Sequence, residues 1–204
     1  MSYLRYLMLI LISYLAGSFN FAIICSKLFK NSDVRDFGSG NAGMTNYLRV
    51  YGGNLTTLFV IAGDIGKCFL AVFIGNLMFG SAGRLIAGFF VMIGHLFPLY
   101  FKFKGGKGVL TSAATFFAFD WRIFLICFVL FVIIVAATRF ISLASICAAC
   151  ITPVLSYFFY DGNIFYVIVS ALIAAIITFM HRGNIKRLIN KTESKFSFKP
   201  TKIK

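Results

Sequence analysis

Along this chain, apolar runs long enough to cross a membrane alternate with short polar or glycine-rich breaks. The runs predict helices over about 3–26, 54–80, 85–103, 108–120, 122–138, 142–160 and 163–181, then a basic tail over 182–204. No run alternates with a period of two, which argues against a membrane barrel. The breaks at 80–84, 120–122 and 161–163 are short enough for hairpin turns. The first run, after Arg5, continues for about 20 residues before Lys27 and Lys30 close it, a spanning length. It reads as a retained helix rather than a signal peptide. The pattern holds no internal repeat and no second domain. The expected fold class is an all-α integral membrane protein, one polytopic domain over 1–204 with seven transmembrane helices.

Composition agrees. The 204 residues are 60% apolar and only 13% charged, with a mean hydropathy of +0.90. A soluble domain is about 45–50% apolar and about 25% charged. The net charge of +14 comes from 20 Lys and Arg against 6 Asp and Glu. In a soluble chain that excess would suggest nucleic acid; here it sets orientation, and no nucleic-acid partner is expected. Seven helices gather Lys27, Lys30, Arg35, Arg49, Lys102, Lys104, Lys107, Arg139 and eight tail cations on one side. Arg5, Arg84 and Arg122 fall on the other. The positive-inside rule then puts the N-terminus outside and the C-terminus in the cytoplasm. Merging 108–138 into one helix would separate the tail from the basic 102–107 loop, so charge favours seven. The tail itself reads as a contact with anionic membrane lipid. The C-x-x-C of Cys147 and Cys150 has no His or acidic neighbour and reads as small residues packing between helices.

The segment 108–120 is short. Its helix rises about 20 Å against a hydrocarbon core of about 30 Å. With 120–122 at the outer interface, the loop before it is drawn into the acyl-chain boundary. Non-helical backbone at that depth must line a polar cavity, so a cationic, glycine-rich cavity is expected near the cytoplasmic face.

Three atypical polar stretches fall on that side. The first is Phe37-Gly38-Ser39-Gly40-Asn41-Ala42-Gly43-Met44-Thr45-Asn46, followed by Arg49. The second is Phe103-Lys104-Gly105-Gly106-Lys107-Gly108-Val109-Leu110-Thr111-Ser112. The third is His181-Arg182-Gly183-Asn184-Ile185-Lys186-Arg187-Leu188. The first contains G-x-G-x-x-G, but no strand precedes it and no βαβ unit can be drawn. The second lacks Walker A spacing. Their chemistry is still suited to phosphate: glycine backbone can approach an anion closely, N–H groups can form a nest, and a helix start follows Gly108. Lys104, Lys107 and Arg49 add charge; Ser39, Asn41, Thr45, Asn46 and Asn184 add neutral donors. Asp64 and Lys67, three apart on one helix, read as a neutralising pair, and His95 as an inter-helix hydrogen bond. His181 is the better catalytic or phosphate candidate. No Ser-His-Asp triad and no zinc ligand set stands out, so neither metal nor cofactor is expected. Residue chemistry alone reaches a membrane protein with a cytoplasmic phosphate site, and leaves a carrier or channel for organic phosphates as an alternative.

The segments G-S-G-N-A-G-M-T-N-x-x-R, F-K-G-G-K-G-V-L-T and H-R-x-N-I-x-R-L resemble the signatures of bacterial acylphosphate–glycerol-3-phosphate acyltransferases, the PlsY family. The stretch from Arg139 through Ser142 to Ser145 resembles a further family segment, as do 94–98 and 64–67. The resemblance implies a seven-helix enzyme of the bacterial cytoplasmic membrane with its site at the cytoplasmic face. It implies transfer of an acyl group from acyl-phosphate to the 1-hydroxyl of sn-glycerol 3-phosphate, giving lysophosphatidic acid and phosphate. Ser39, Lys104, His181 and Asn184 would then be catalytic. Asn41, Thr45, Asn46, Arg49, Gly105, Gly106, Lys107, Gly108, Ser142 and Ser145 would bind substrate. Within that set, Ser39 and the 105–108 backbone face the donor phosphate or carbonyl oxygen. Arg49, Lys104, His181, Asn184 and Ser142 face glycerol 3-phosphate. Two departures, Gly183 after His-Arg and Lys191 before Thr-Glu, weaken any role for Glu193.

Overall fold

The computed structural model describes residues 2–196, so Lys199, Lys202 and Lys204 of the expected tail lie outside the described residues. Every regular element described is helical. The chain divides into two compact units, one running to Ala118 and one over Phe119–Phe196.

In the first unit, α1 (Ser2–Ser18) and α2 (Phe21–Lys30) replace the single helix expected over 3–26. The break has a local cause. Asn20 is extended, and its side-chain oxygen accepts the Ile23 N–H at 3.2 Å, capping α2. A 3₁₀ turn over Val34–Asp36 and a glycine loop follow, then α3 (Met44–Tyr51), a helix where the polar pattern reads only as loop. Ala22, Ile23, Val34, Tyr47 and Val60 form the buried cluster that seats α2 and α3 against the next helix.

That helix, α4 (Leu55–Leu96), begins on Asn54, whose side chain accepts the Thr57 N–H. It is helical except at Phe79 and Gly80, where Gly80 takes φ +57° and ψ −139°. There the chain reverses. A Cβ on Gly75 would lie 2.7 Å from the Gly83 carbonyl carbon, whereas eight residues of straight helix would separate them by about 12 Å. Two helices therefore stand where 54–80 and 85–103 are expected, but the turn sits at Phe79 and Gly80, Ser81 to Arg84 are helical, and the second ends at Leu96 rather than 103, just before Pro98. A side chain on Gly17 would strike the Val91 backbone, and one on Gly94 would strike the backbone of Tyr14 and Ser18. Small residues allow this close approach of α1 to the returning limb of α4. The short expected helix is α5 (Val109–Phe119), 11 residues long.

The second unit holds α6 (Trp121–Thr138), α7 (Ile141–Phe159), α8 (Ile164–Met180) and α9 (Arg182–Ile189). Asp120 caps α6, accepting the Arg122 N–H at 2.9 Å, and Arg139 ends it with φ +63°. In α6 only Ile123 is buried, as suits an apolar helix facing lipid. The buried hydroxyls of Ser156 and Ser170, 2.7 Å apart, join α7 to α8. The chain bends by 58° from α8 into α9, so the first part of the expected tail is helical. Tyr3–Lys30, Leu55–Phe101, Trp121–Thr138 and Ile141–Phe159 are long and apolar enough to cross a membrane, and α8 and α9 reach that length and apolarity only when taken together across their bend.

Candidate active site

In the first unit, the two glycine loops stand on a buried polar core. Lys67 Nζ lies 2.7 Å from Asp64 Oδ1 and 3.0 Å from His95 Nδ1. It also donates to the carbonyls of Gly17 at 3.1 Å and Phe19 at 2.7 Å. Those carbonyls are available because α1 ends there. The Asp64–Lys67 pair and the His95 contact expected from sequence are both present.

From this core, hydrogen bonds run outward to both loops. The Gly106 N–H donates to the His95 carbonyl at 3.1 Å, and the Gly105 N–H to that of Leu96 at 3.0 Å. These two amides, expected to face an anion, instead close the end of α4. Gly106 must be glycine: a Cβ there would strike His95 Nε2 and lie 2.9 Å from the Ala42 carbonyl. That same Ala42 carbonyl accepts Asn20 Nδ2 at 3.0 Å. The two loops thus meet at one buried point.

The second loop is turned by two consecutive non-glycine residues, Lys102 and Phe103, both with φ +57°. Left-handed backbone costs about 1–2 kcal/mol per residue. The corner is held by Arg35, whose Nη1 donates to the Phe101 carbonyl at 3.1 Å and the Lys104 carbonyl at 3.0 Å. Arg35 is itself fixed by Asp33 at 2.7 Å. The hydrogen bond from the Arg35 side chain holds the Asp33 carboxyl below the usual carboxylate range despite partial burial.

Ser39 and Lys104 are exposed, and Asn41, Thr45, Arg49 and Lys107 are half-buried. Asn46 is buried, and its amide is engaged within the loop: Oδ1 accepts the Ser39 N–H at 2.8 Å, while Nδ2 donates to the Val34 and Phe37 carbonyls. It shapes the loop that presents Ser39. Gly108, with φ +81°, starts α5, and its carbonyl accepts the Ser112 N–H at 2.8 Å.

In the second unit, Glu193 gathers the third stretch. Its Oε1 accepts from Ser142 Oγ at 2.7 Å and Asn184 Nδ2 at 2.6 Å, and its Oε2 from Arg187 Nε at 2.7 Å. Partial burial pushes the Glu193 carboxyl up. The donors Asn184, Ser142 and Arg187 outweigh it and hold the group below the usual range. Phe196 pairs with Arg139, its N–H donating to the Arg139 carbonyl at 2.7 Å, which returns this segment to the start of α7. Buried His181 meets the Ile177 carbonyl through Nδ1 at 2.8 Å. A carbonyl only accepts, so Nδ1 carries the proton and the neutral ring has its lone pair on Nε2. Ser145 Oγ donates to the Ile141 carbonyl of its own helix at 2.8 Å.

Sequence reasoning missed Asn20, Arg35 and Glu193. Glu193 had a signal, as the one acid among eight cations after His181. Asn20 had one too, as a lone amide inside an apolar run. Arg35 had none. Among the described residues no three His, Cys, Asp or Glu side chains gather to hold a metal ion.

A family model described as glycerol-3-phosphate acyltransferase matches residues 7–191. The glycerol-3-phosphate acyltransferase of Bacillus subtilis (strain 168) is 40% identical over 188 residues, covering 92% of this chain and 96% of that protein. Its counterpart from Thermoanaerobacter sp. (strain X514) is 39% identical over 194 residues, covering 95% and 96%. A crystal structure of PlsY, an integral membrane glycerol 3-phosphate acyltransferase, in its glycerol 3-phosphate form superposes with a TM-score of 0.86. It is 34% identical and covers 94% of this chain and 96% of that one. The lysophosphatidic acid form superposes at 0.83 with 32% identity, covering 95% and 96%.

Proposed function

This chain belongs to the glycerol-3-phosphate acyltransferase family, and from that premise we propose that it acylates the 1-hydroxyl of sn-glycerol 3-phosphate with acyl-phosphate as donor. The hydroxyl oxygen bonds to the acyl carbon, the bond from that carbon to the phosphate oxygen breaks, and phosphate leaves with the electron pair. The hydroxyl proton passes to a phosphate oxygen or to His181 Nε2. The products are lysophosphatidic acid and phosphate, an early step of phospholipid synthesis.

The observation that carries the reading is the state of two cations, Lys104 on the second glycine loop and Arg49 on α3, the helix that follows the first. Among the described residues, the Arg49 guanidinium and the Lys104 ammonium make no hydrogen bond or ion pair. Beside backbone this firmly held, their charge suits an anionic ligand as well as orientation. Phosphate is already a good leaving group, so positioning and charge stabilisation suffice without a covalent intermediate. Arg49 offers a planar fork to the phosphate of glycerol 3-phosphate. Lys104 neutralises charge developing at the reacting centre. Ser39, with Lys107 and the Gly108 turn, faces the donor. Asn41 and Thr45 contribute polar groups beside them, and His181 and Asn184 serve the acceptor. Asn46, Gly105 and Gly106 act by shaping the loops, and Ser142 by orienting Glu193 and Asn184. No metal or cofactor enters.

The proposed topology has seven crossings: α1 with α2, the two limbs of α4, α5, α6, α7 and α8. It supports a site at the cytoplasmic face of a bacterial inner membrane, because all three polar stretches and most of the cations then share one side.

Purified protein in lipid, given labelled glycerol 3-phosphate, should form labelled lysophosphatidic acid with palmitoyl-phosphate and none with palmitoyl-CoA. Product from the thioester alone would overturn the donor assignment. Failure with both, from folded protein, would overturn the acyl-transfer reading.

A further inference from the structure

Lys67 is not among the residues assigned to the reaction and lies within an apolar stretch of α4, yet it gathers Asp64 and His95 of α4 with the Gly17 and Phe19 carbonyls at the end of α1. Two separate paths lead from it to the loops. One runs through the Phe19 carbonyl to the next residue, Asn20, whose amide holds the Ala42 carbonyl of the Ser39 loop at 3.0 Å. The other runs through His95, whose carbonyl holds the Gly106 N–H of the Lys104 loop at 3.1 Å. The paths converge, since Gly106 packs against both His95 Nε2 and the Ala42 carbonyl. We propose that Lys67, buried with Asp64 and His95, is a positioning residue for acyl transfer, one ammonium that sets the register between the two phosphate loops.

The arrangement suits registration better than bulk stability. An ammonium has three protons, and here at least four acceptors lie within 3.1 Å of one nitrogen, so all are drawn toward one point. Burial is nearly complete, with Lys67 7% exposed, Asp64 1% and His95 3%. Among the described residues neither Asp64 oxygen has a hydrogen-bond partner, so the ion pair with Lys67 at 2.7 Å is what compensates this carboxylate. A hydrophobic pair of equal volume would fill the same space, and buried ion pairs are often dispensable for stability. It would not tie α1's broken end to the loop after α4. Misplacing reacting groups by about 1 Å costs about a hundredfold in rate, so a registering group shows itself in kcat.

The inference rests on the acyl-transfer reading, and the test separates the two. The double variant Asp64→Asn, Lys67→Met removes both charges together, leaving no uncompensated carboxylate. Lys67→Arg keeps the ion pair, but a planar guanidinium cannot address four acceptors around one atom; it carries the test alone if the double variant does not fold. For each folded variant in lipid, amide hydrogen exchange is followed peptide by peptide, alongside kcat and KM with palmitoyl-phosphate. Exchange over 103–108 and 38–46 should accelerate about tenfold or more, with α7 and α8 unchanged. The kcat should fall about ten- to a hundredfold in the double variant and several-fold in Lys67→Arg, with KM for glycerol 3-phosphate within about threefold. Unchanged exchange in the loops overturns the proposal, as does faster exchange with kcat within twofold of the parent. Loss through KM alone also overturns it. Exchange needs no substrate, so a wild-type protein that made no product would sink the activity reading while the brace was still read independently.

Discussion

Glu193 illustrates how a residue that looks incidental in sequence acquires a defined response to acid. Three donors converge on it, and its carboxyl sits below the ordinary range. A carboxyl whose folded pKa is depressed adds stability above its unfolded value of about 4.3. That stability is lost as pH falls through the lowered, folded value. Thermal unfolding in detergent should therefore be flat from neutrality to about pH 5 and fall below it. Glu193→Gln should flatten the acid limb and cost about 1.5–3 kcal/mol near neutrality, the worth of hydrogen bonds to a charged group. An unchanged acid limb would contradict this. At this scale the sequence conveyed which residues carry chemistry but not which ones hold others in place. Asn46 resembles a ligand-binding amide as well as Asn41 does. Only chain closure shows that its amide bonds Ser39, Val34 and Phe37. Glycine was legible as close backbone approach, but the approach at Gly106 is to His95 rather than to a ligand.

The long elements were legible because lipid imposes a length and an apolar composition on each of them. The short ones were not. α3 and α9 are 8 residues each, too short to be stable alone, and they exist because Tyr47 and Asn184 are buried against neighbours. The break between α1 and α2 was hidden for the opposite reason: the apolar run continues through it, and only Asn20 interrupts. The reversal within α4 was foreseen to within a few residues, and its geometry makes a sharp prediction. Gly80 occupies backbone space open essentially to glycine alone, while a Cβ there would meet nothing within 4 Å. Gly80→Ala should therefore cost about 1–3 kcal/mol from backbone strain alone, read as a lower unfolding temperature in detergent. No loss of stability would mean that the turn relaxes into another conformation.

For the whole molecule, charge distribution speaks to orientation more directly than to shape. In a protein whose native cysteines are replaced, a cysteine at Ser2 should react with a membrane-impermeant maleimide on intact cells. One at Ser194 should react only after permeabilisation. The reverse pattern would invert the proposed topology. The seven-crossing reading depends on the turn at Gly80 and on the break that separates α5 from α6, both visible as spacing in the chain before any contact is known. The brace that unites the loops was invisible in this way, because Asn20, Lys67, His95 and Gly106 are distant in sequence. Yet they share one property that sequence order does disclose: all of them precede Ala118, within the first unit. Chains are synthesised from the N-terminus, and their units generally fold in that order. The ribosome therefore delivers every member of this buried assembly before the first residue of α6 is made. Two of the three polar stretches can be mounted on their support while the remaining helices are still entering the bilayer, so the order of manufacture follows the order of dependence.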